Sequence, residues 1–143
     1  MKKSAFPLLA LLFCTPVFAE QINIEINQFP SKALDFIEEY FSNDTISKAY
    51  VEKRASLVQY EVKMTNGNKL QFTRNGNWSE IKCQSYPLPS GILPEKIEKY
   101  IEATTSGLYI TEAEHNGRLY EISLNNGIEL TFNNSFRLID IDN

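Results

Sequence analysis

The sequence predicts an α+β protein of two tandem repeats, each a helix packed on a four-stranded antiparallel meander. Three observations carry this. The chain repeats itself at an offset of sixty residues, each half opens on an amphipathic helical pattern, and each half continues in alternating strands separated by Asn-Gly turns.

The repeat runs without a gap from Leu34/Pro94 to Thr73/Asn133. Ile37, Glu38 and Tyr40 recur as Ile97, Glu98 and Tyr100, and Glu52 recurs as Glu112. Tyr60-Glu61 recurs as Tyr120-Glu121, Asn66-Gly67 as Asn126-Gly127, and Leu70 and Phe72 as Leu130 and Phe132. Core residues and turn residues therefore stay in step together.

In the first half a helix is expected over Pro30–Ser42. Leu34, Ile37 and Phe41 stand at i, i+3 and i+7 and form one apolar stripe of a 3.6-residue period. A strand follows over Ser47–Arg54. Tyr60, Val62 and Met64 alternate with Glu61 and Lys63, which makes one face apolar and the other charged. Asn66-Gly67 tolerates the positive φ of a type I′ hairpin turn, and Leu70 and Phe72 return on the apolar side. Asn75-Gly76-Asn77 turns the chain into a last strand, Trp78–Cys83. The second half repeats this with a helix over Leu93–Ala103, where Pro94 suits the first turn because its missing N–H has no partner there. Its strands are expected at Tyr109–Glu114, Arg118–Leu124, Ile128–Phe132 and Phe136–Ile141. Gln84–Gly91, with Pro87 and Pro89, reads as a linker between repeats at residues 20–86 and 87–143. Ile22, Ile24 and Ile26 alternate with polar residues and suggest an added edge strand before the first helix.

These residues resemble the PepSY-like family of small periplasmic proteins, also described as beta-lactamase-inhibitor-like. The resemblance rests on Phe29-Pro30, Tyr40-Phe41, Tyr60-Glu61-Val62, Asn66-Gly67, Phe72 and Gly76-Asn77-Trp78, and in the second half on Ile97, Tyr100, Tyr120-Glu121-Ile122, Asn126-Gly127 and Phe132. The pattern departs at Asn133-Asn134-Ser135-Phe136, where a Gly-Asn-aromatic turn is expected. The resemblance implies a beta-lactamase-inhibitor-like fold and a protein-binding or protease-inhibiting role. It resembles, too, the tandem-repeat inhibitor of beta-lactamase, whose halves form a curved sheet that grips the enzyme. No inhibitory residue set transfers position by position, and fold alone does not fix function.

Chemistry for catalysis is sparse. His115, the lone histidine, precedes Asn116-Gly117 and reads as a solvated residue beside a turn. Without it no Ser/His/Asp or Cys/His arrangement can be built, and no P-loop or dinucleotide-binding glycine pattern is present, so the chain reads as a non-enzyme without a cofactor. With 18 acids against 14 bases, nucleic acid is a poor partner. Cys83 alternates with Ile81 and reads as a buried thiol.

The candidate site is the uncovered face of the sheet. If Ile81 and Cys83 face the helix, then Trp78, Glu80 and Lys82 face away from it, and with Ile139 and Ile141 covered, Phe136 and Leu138 do the same. Glu61 and Glu121 belong to that face by alternation. Large apolar residues on a charged face mark a protein-binding surface. The competing reading is a bulge after the turn that resets parity and makes Trp78 core. Eight strands offer a face of roughly 700 Å², close to one partner's share of a protein complex. The expected function is thus a secreted or periplasmic protein-binding module, inhibitor-like toward an envelope hydrolase. The alternatives are a small-ligand or calcium-responsive protein using Glu52, Glu61, Glu112, Glu121 and Glu129, with no metal site assigned, and an envelope subunit associating through edge strands.

Residues 1–19 read as a signal peptide. Lys2 and Lys3 precede the short apolar run Ala5–Phe13, and Val17-Phe18-Ala19 supplies the cleavage site. The rival reading, lipidation at Cys14, has the bulky Phe13 where a small residue is needed. What remains is a chain of about 124 residues without a second apolar run long enough to span a bilayer. Mass spectrometry of the exported protein should find a mature chain beginning at Glu20. A lipid-modified Cys14 at the N-terminus would overturn the assignment.

Overall fold

The computed structural model describes residues 20–143, so the predicted signal segment lies outside the described residues. Chain order is β1 (Glu20–Asn23), a short 3-10 turn (Ile26–Gln28), α1 (Ser31–Phe41), β2 (Ile46–Arg54), β3 (Leu57–Met64), β4 (Lys69–Thr73), β5 (Trp78–Lys82), α2 (Glu95–Thr104), β6 (Ile110–His115), β7 (Tyr120–Leu124), β8 (Glu129–Phe132) and β9 (Leu138–Asp142).

The expectation of two tandem helix-on-four-strand repeats is overturned. The described chain is one nine-stranded antiparallel sheet in the order β1 to β9, mostly β, with only two α-helices among the described residues. The seam is closed by β5 pairing with β6 through Glu80↔Glu114, Ile81↔Ala113 and Lys82↔Glu112. An open strand edge exposes a row of unpaired N–H and C=O groups, and each half supplies the partner that covers the other's edge. β1 adds a ninth strand against β2 through Ile22↔Val51 and its neighbours, whereas Ile24 and Ile26 lie beyond it.

The helices form for the reasons the sequence gives. Ala33, Ile37 and Phe41 are the buried stripe of α1, and Ile97 and Ile101 that of α2. Pro30 and Pro94 stand at the N-caps with extended ψ, where a proline's missing N–H leaves no bond unmade. Both helices cover the same side of the sheet. The apolar row beneath them runs across consecutive strands as Ala49, Val62, Leu70, Ile81, Ala113, Ile122 and Leu130, every member buried. Gly76, at φ +86°, brings the β4–β5 turn against the start of α1, and a Cβ there would stand 3.0 Å from Pro30 and Lys32 side chains.

Cys83 is buried among this core, as its alternation predicts, and burial together with nearby Asp44 pushes its thiol up to about 11. The turn from β2 to β3 carries Ala55 at φ 52°, a position with no glycine or asparagine to announce it.

A buried polar knot ties the β3–β4 hairpin to the linker. Asn68 is fully buried; its Nδ2 donates to Asp44 Oδ2 at 3.1 Å, and its Oδ1 accepts from the Gln84 amide at 2.8 Å. Tyr86 donates its hydroxyl to the same Asp44 oxygen at 2.6 Å, and burial followed by that bond raises its pKa. Removing one member of such a set leaves buried partners unpaired. Asn68→Ala should therefore cost about 2–3 kcal/mol in urea unfolding. A loss under about 0.5 kcal/mol, the scale of ordinary surface changes, would show that the knot carries no stability.

Candidate functional site

The uncovered face is organised by the strand register into two transverse rows. One row reads Tyr50, Glu61, Gln71, Glu80, Glu114, Glu121, Thr131 and Asp140 across β2 to β9. The adjacent row reads Lys48, Lys63, Lys69, Lys82, Glu112, Ser123, Glu129 and Asp142. The second row is thus basic across β2 to β5 and acidic at β6, β8 and β9, with Ser123 of β7 between.

Of the site residues expected from sequence, Glu80, Lys82, Glu61 and Glu121 lie on this face, but in two different settings. Glu61 is buried, held by Lys69 Nζ at 3.2 Å and by Gln71 Nε2, which donates to its Oε1 at 3.0 Å. Tyr50 beside it is buried under the Lys48 and Lys63 ammonium groups, 5.2 and 5.8 Å from its ring. That end of the face is internally neutralised.

At the seam the balance tips to negative. One carboxylate oxygen from each of Glu80, Glu112 and Glu114 lies within 4.8 Å of the others. Lys82 Nζ reaches Glu80 Oε1 at 3.1 Å and Glu112 Oε1 at 3.6 Å, and the hydrogen bond to Glu80 leads the causes that raise its pKa. Desolvation raises the Glu112 carboxyl. Desolvation, then the charges of Glu80 and Glu112, with Glu121 adding, pushes Glu114 up to about 7. Like charges directly opposite one another across a strand pair are destabilising, and Glu80↔Glu114 and Glu114↔Glu121 are two such pairs in succession. Glu114 is the member that sequence reasoning missed. Its alternation with Glu112 put it on the right face, but which strand lay beside β5 was not readable.

Trp78, Leu138 and Phe136 are corrections. Register shifts place Trp78 opposite Phe72 and Leu138 opposite Phe132, on the helix-covered side, with Ser79 and Ile139 as the extra residues. A bulge of one residue reverses the alternation that had pointed these side chains outward. Ile139, the extra residue, is 54% exposed, and Ile141, opposite Leu130 at the end of the helix-side row on the edge strand β9, is 57% exposed. Phe136, at φ 62°, packs edge-on against Tyr120 with ring centroids 6.0 Å apart.

His115 is not simply solvated. It stacks on Tyr120 with centroids 4.0 Å apart and planes 6° from parallel, and Trp78 stands 5.8 Å away. Burial lowers its pKa, which favours the uncharged ring. The β5–β6 ladder gives out above Glu80↔Glu114, and there a cleft of about 750 Å³ opens, with Trp78, Ser79 and His115 on its walls beside Glu80, Glu114 and Glu121. Among the described residues, Ser79 Oγ is the buried side-chain atom without a hydrogen-bond partner. No helix among them is long and apolar enough to cross a membrane.

Comparison with known proteins follows the same lines. Residues 58–140 match the family model described as "Putative beta-lactamase-inhibitor-like, PepSY-like". The chain belongs to this PepSY-like family. No curated protein matches it. Among solved structures it is similar to a "putative calcium-regulated periplasmic protein" from Bacteroides thetaiotaomicron, at 36% identity and TM-score 0.84, covering 86% of this chain and 97% of that one. It is also similar to a "putative periplasmic protein" of the DUF2874 family from Bacteroides vulgatus, at 33% identity and TM-score 0.84, covering 87% and 98%. A second Bacteroides vulgatus protein, "of unknown function", matches at 28% identity and TM-score 0.81, covering 87% and 100%.

The raised Glu114 pKa sets a pH dependence. A folded carboxyl titrating near 7 binds its proton more tightly than in the unfolded chain, so its contribution is present at low pH and is lost as pH rises through about 7. Melting temperature should fall between pH 5.5 and 8, by the equivalent of about 1 kcal/mol once solvent screening is allowed for. Glu114→Gln should flatten the profile. An unchanged slope in that variant would assign the dependence to other groups.

Proposed function

We propose that this chain is a non-catalytic periplasmic binding module that responds to calcium, with Glu80, Glu112 and Glu114 as the protein ligands. The observation that carries this is the convergence of three carboxylates at the seam, where like charge is concentrated against the stability of the sheet. Calcium takes six to eight oxygen ligands in adaptable geometry, and three carboxylates able to bind through one or both oxygens suit it. Magnesium demands near-ideal octahedral geometry and parts reluctantly with water, so the site favours the larger ion. Without the cation Lys82 serves as internal counterion; with it, the ammonium is displaced toward solvent, where it is already 41% exposed. The relative described as calcium-regulated supports the reading, and the neighbours described as periplasmic support the location.

A second reading is favoured by the row that is basic in the first half of the sheet and acidic in the second. Lys48, Lys63, Lys69 and Lys82 against Glu112, Glu129 and Asp142 give the uncovered face two signs of charge, suited to orienting a protein partner in the manner the family's inhibitor-like description suggests. Such a grip needs no calcium, and the calcium experiment separates the two.

Titration with calcium chloride should raise the melting temperature saturably, reaching about 2.7 kcal/mol at a hundredfold excess over the dissociation constant. Magnesium at equal concentration should act weakly. Glu80→Gln or Glu112→Gln should abolish the calcium effect. No shift at 10 mM calcium, a concentration of about tenfold over the weakest extracellular sites, would sink the calcium reading.

A further inference from the structure

Trp78, His115 and Tyr120 form an aromatic run at the seam, on the helix side of the sheet. The row there reads Val51, Tyr60, Phe72 and Trp78 in the first half, and His115, Tyr120, Phe132 and Leu138 in the second. Under the helices this row is ordinary core: Phe72 and Phe132 are fully buried. Between the helices Trp78, His115 and Tyr120 are only partly covered, and the cleft opens against the first two. Its volume, about 750 Å³, falls in the range of small-molecule sites, which combine apolar walls with a few converging polar groups.

The polar groups are of one dominant sign. Glu80, Glu114 and Glu121 line the cleft, and Lys32 from the first turn of α1 is the one cation among its lining residues. Ser79 lines it too, and buried hydroxyls are seldom left without a partner in folded proteins. Trp78 and His115 stand on the helix side and the carboxylates on the uncovered side, and the cleft lined by both opens where the β5–β6 ladder ends.

We propose that this cleft is a binding site for a small organic cation, a protonated amine carried on an aromatic or alkyl body. The body packs on Trp78 and His115, and the ammonium donates to Glu114, Glu121 and the Ser79 hydroxyl. An ammonium beside an aromatic face and between carboxylates gains from both the ring quadrupole and charge-assisted hydrogen bonds. A carboxylate ligand of the same shape meets repulsion from three acids.

The inference can be told apart from the calcium reading: the two sites share Glu80 and Glu114 but differ elsewhere. Glu112 belongs to the cation cluster and not to the cleft lining, whereas Glu121 lines the cleft and is not in the cluster. Trp78 is the sole tryptophan, so intrinsic fluorescence of the whole mature protein reports the cleft directly. 2-Phenylethylamine should change the emission saturably and 3-phenylpropionate should not. Glu121→Gln should weaken the amine by about tenfold, the scale of a lost hydrogen bond to a charge, and Ser79→Ala should weaken it less. Glu112→Gln, outside the cleft lining, should weaken the amine less than Glu121→Gln does, while losing calcium. A response to both probes alike, no saturable response, or an amine affinity unmoved by both Glu121→Gln and Ser79→Ala would overturn the proposal. Absence of any calcium response in the unsubstituted protein, with amine binding intact, would sink the calcium reading alone.

Discussion

Three residue pairs between β5 and β6 hold the rest of the structure in place. Glu80↔Glu114, Ile81↔Ala113 and Lys82↔Glu112 join two halves that would each be marginal at about 60 residues, because a chain that short buries too little of its surface. On the covered side the join makes one apolar row from Ala49 to Leu130. On the uncovered side the same join carries Glu80 and Lys82 to Glu112 and Glu114. Core and candidate site are thus two faces of a single pairing.

That economy has an electrostatic consequence. Strand pairing places residues about 5 Å apart whatever their charge, so a row of glutamates on adjacent strands is held together by the backbone against its own repulsion. The first half relieves its acid, Glu61, with Lys69 and Gln71. The seam has only Lys82 to set between Glu80 and Glu112, and Glu114 meets its neighbours by holding a proton to about 7. Sites arranged for ligands commonly give up stability in this way.

Bulges decide what stands across the sheet from those carboxylates. One extra residue at Ser79 returns Trp78 to the helix side, next to His115, and one at Ile139 returns Leu138 while leaving Ile139 outside. The two halves share the device at matching places, since the bulges face Gln71-Phe72 and Thr131-Phe132, sixty residues apart. The aromatic run between the helices follows from it.

The sequence by itself determined the local elements and their faces. Helical stripes at Ile37/Phe41 and Ile97/Ile101, the Asn-Gly hairpins, the burial of Cys83 and the placing of Glu61, Glu80, Lys82 and Glu121 on one face all follow from periodicity, which each segment carries alone. The family was legible for the same reason, because its pattern is made of those turns and core positions. Tertiary structure decided the rest. Strand neighbours far apart in sequence, Glu80 with Glu114 above all, depend on which edge meets which, and alternation says nothing about that. Parity after a bulge depends on how a strand pairs with its neighbour, so Trp78 and Leu138 pointed the wrong way until the register was known. A periodicity gives a side chain its face only as long as the count of residues is unbroken, and it never gives a strand its neighbour.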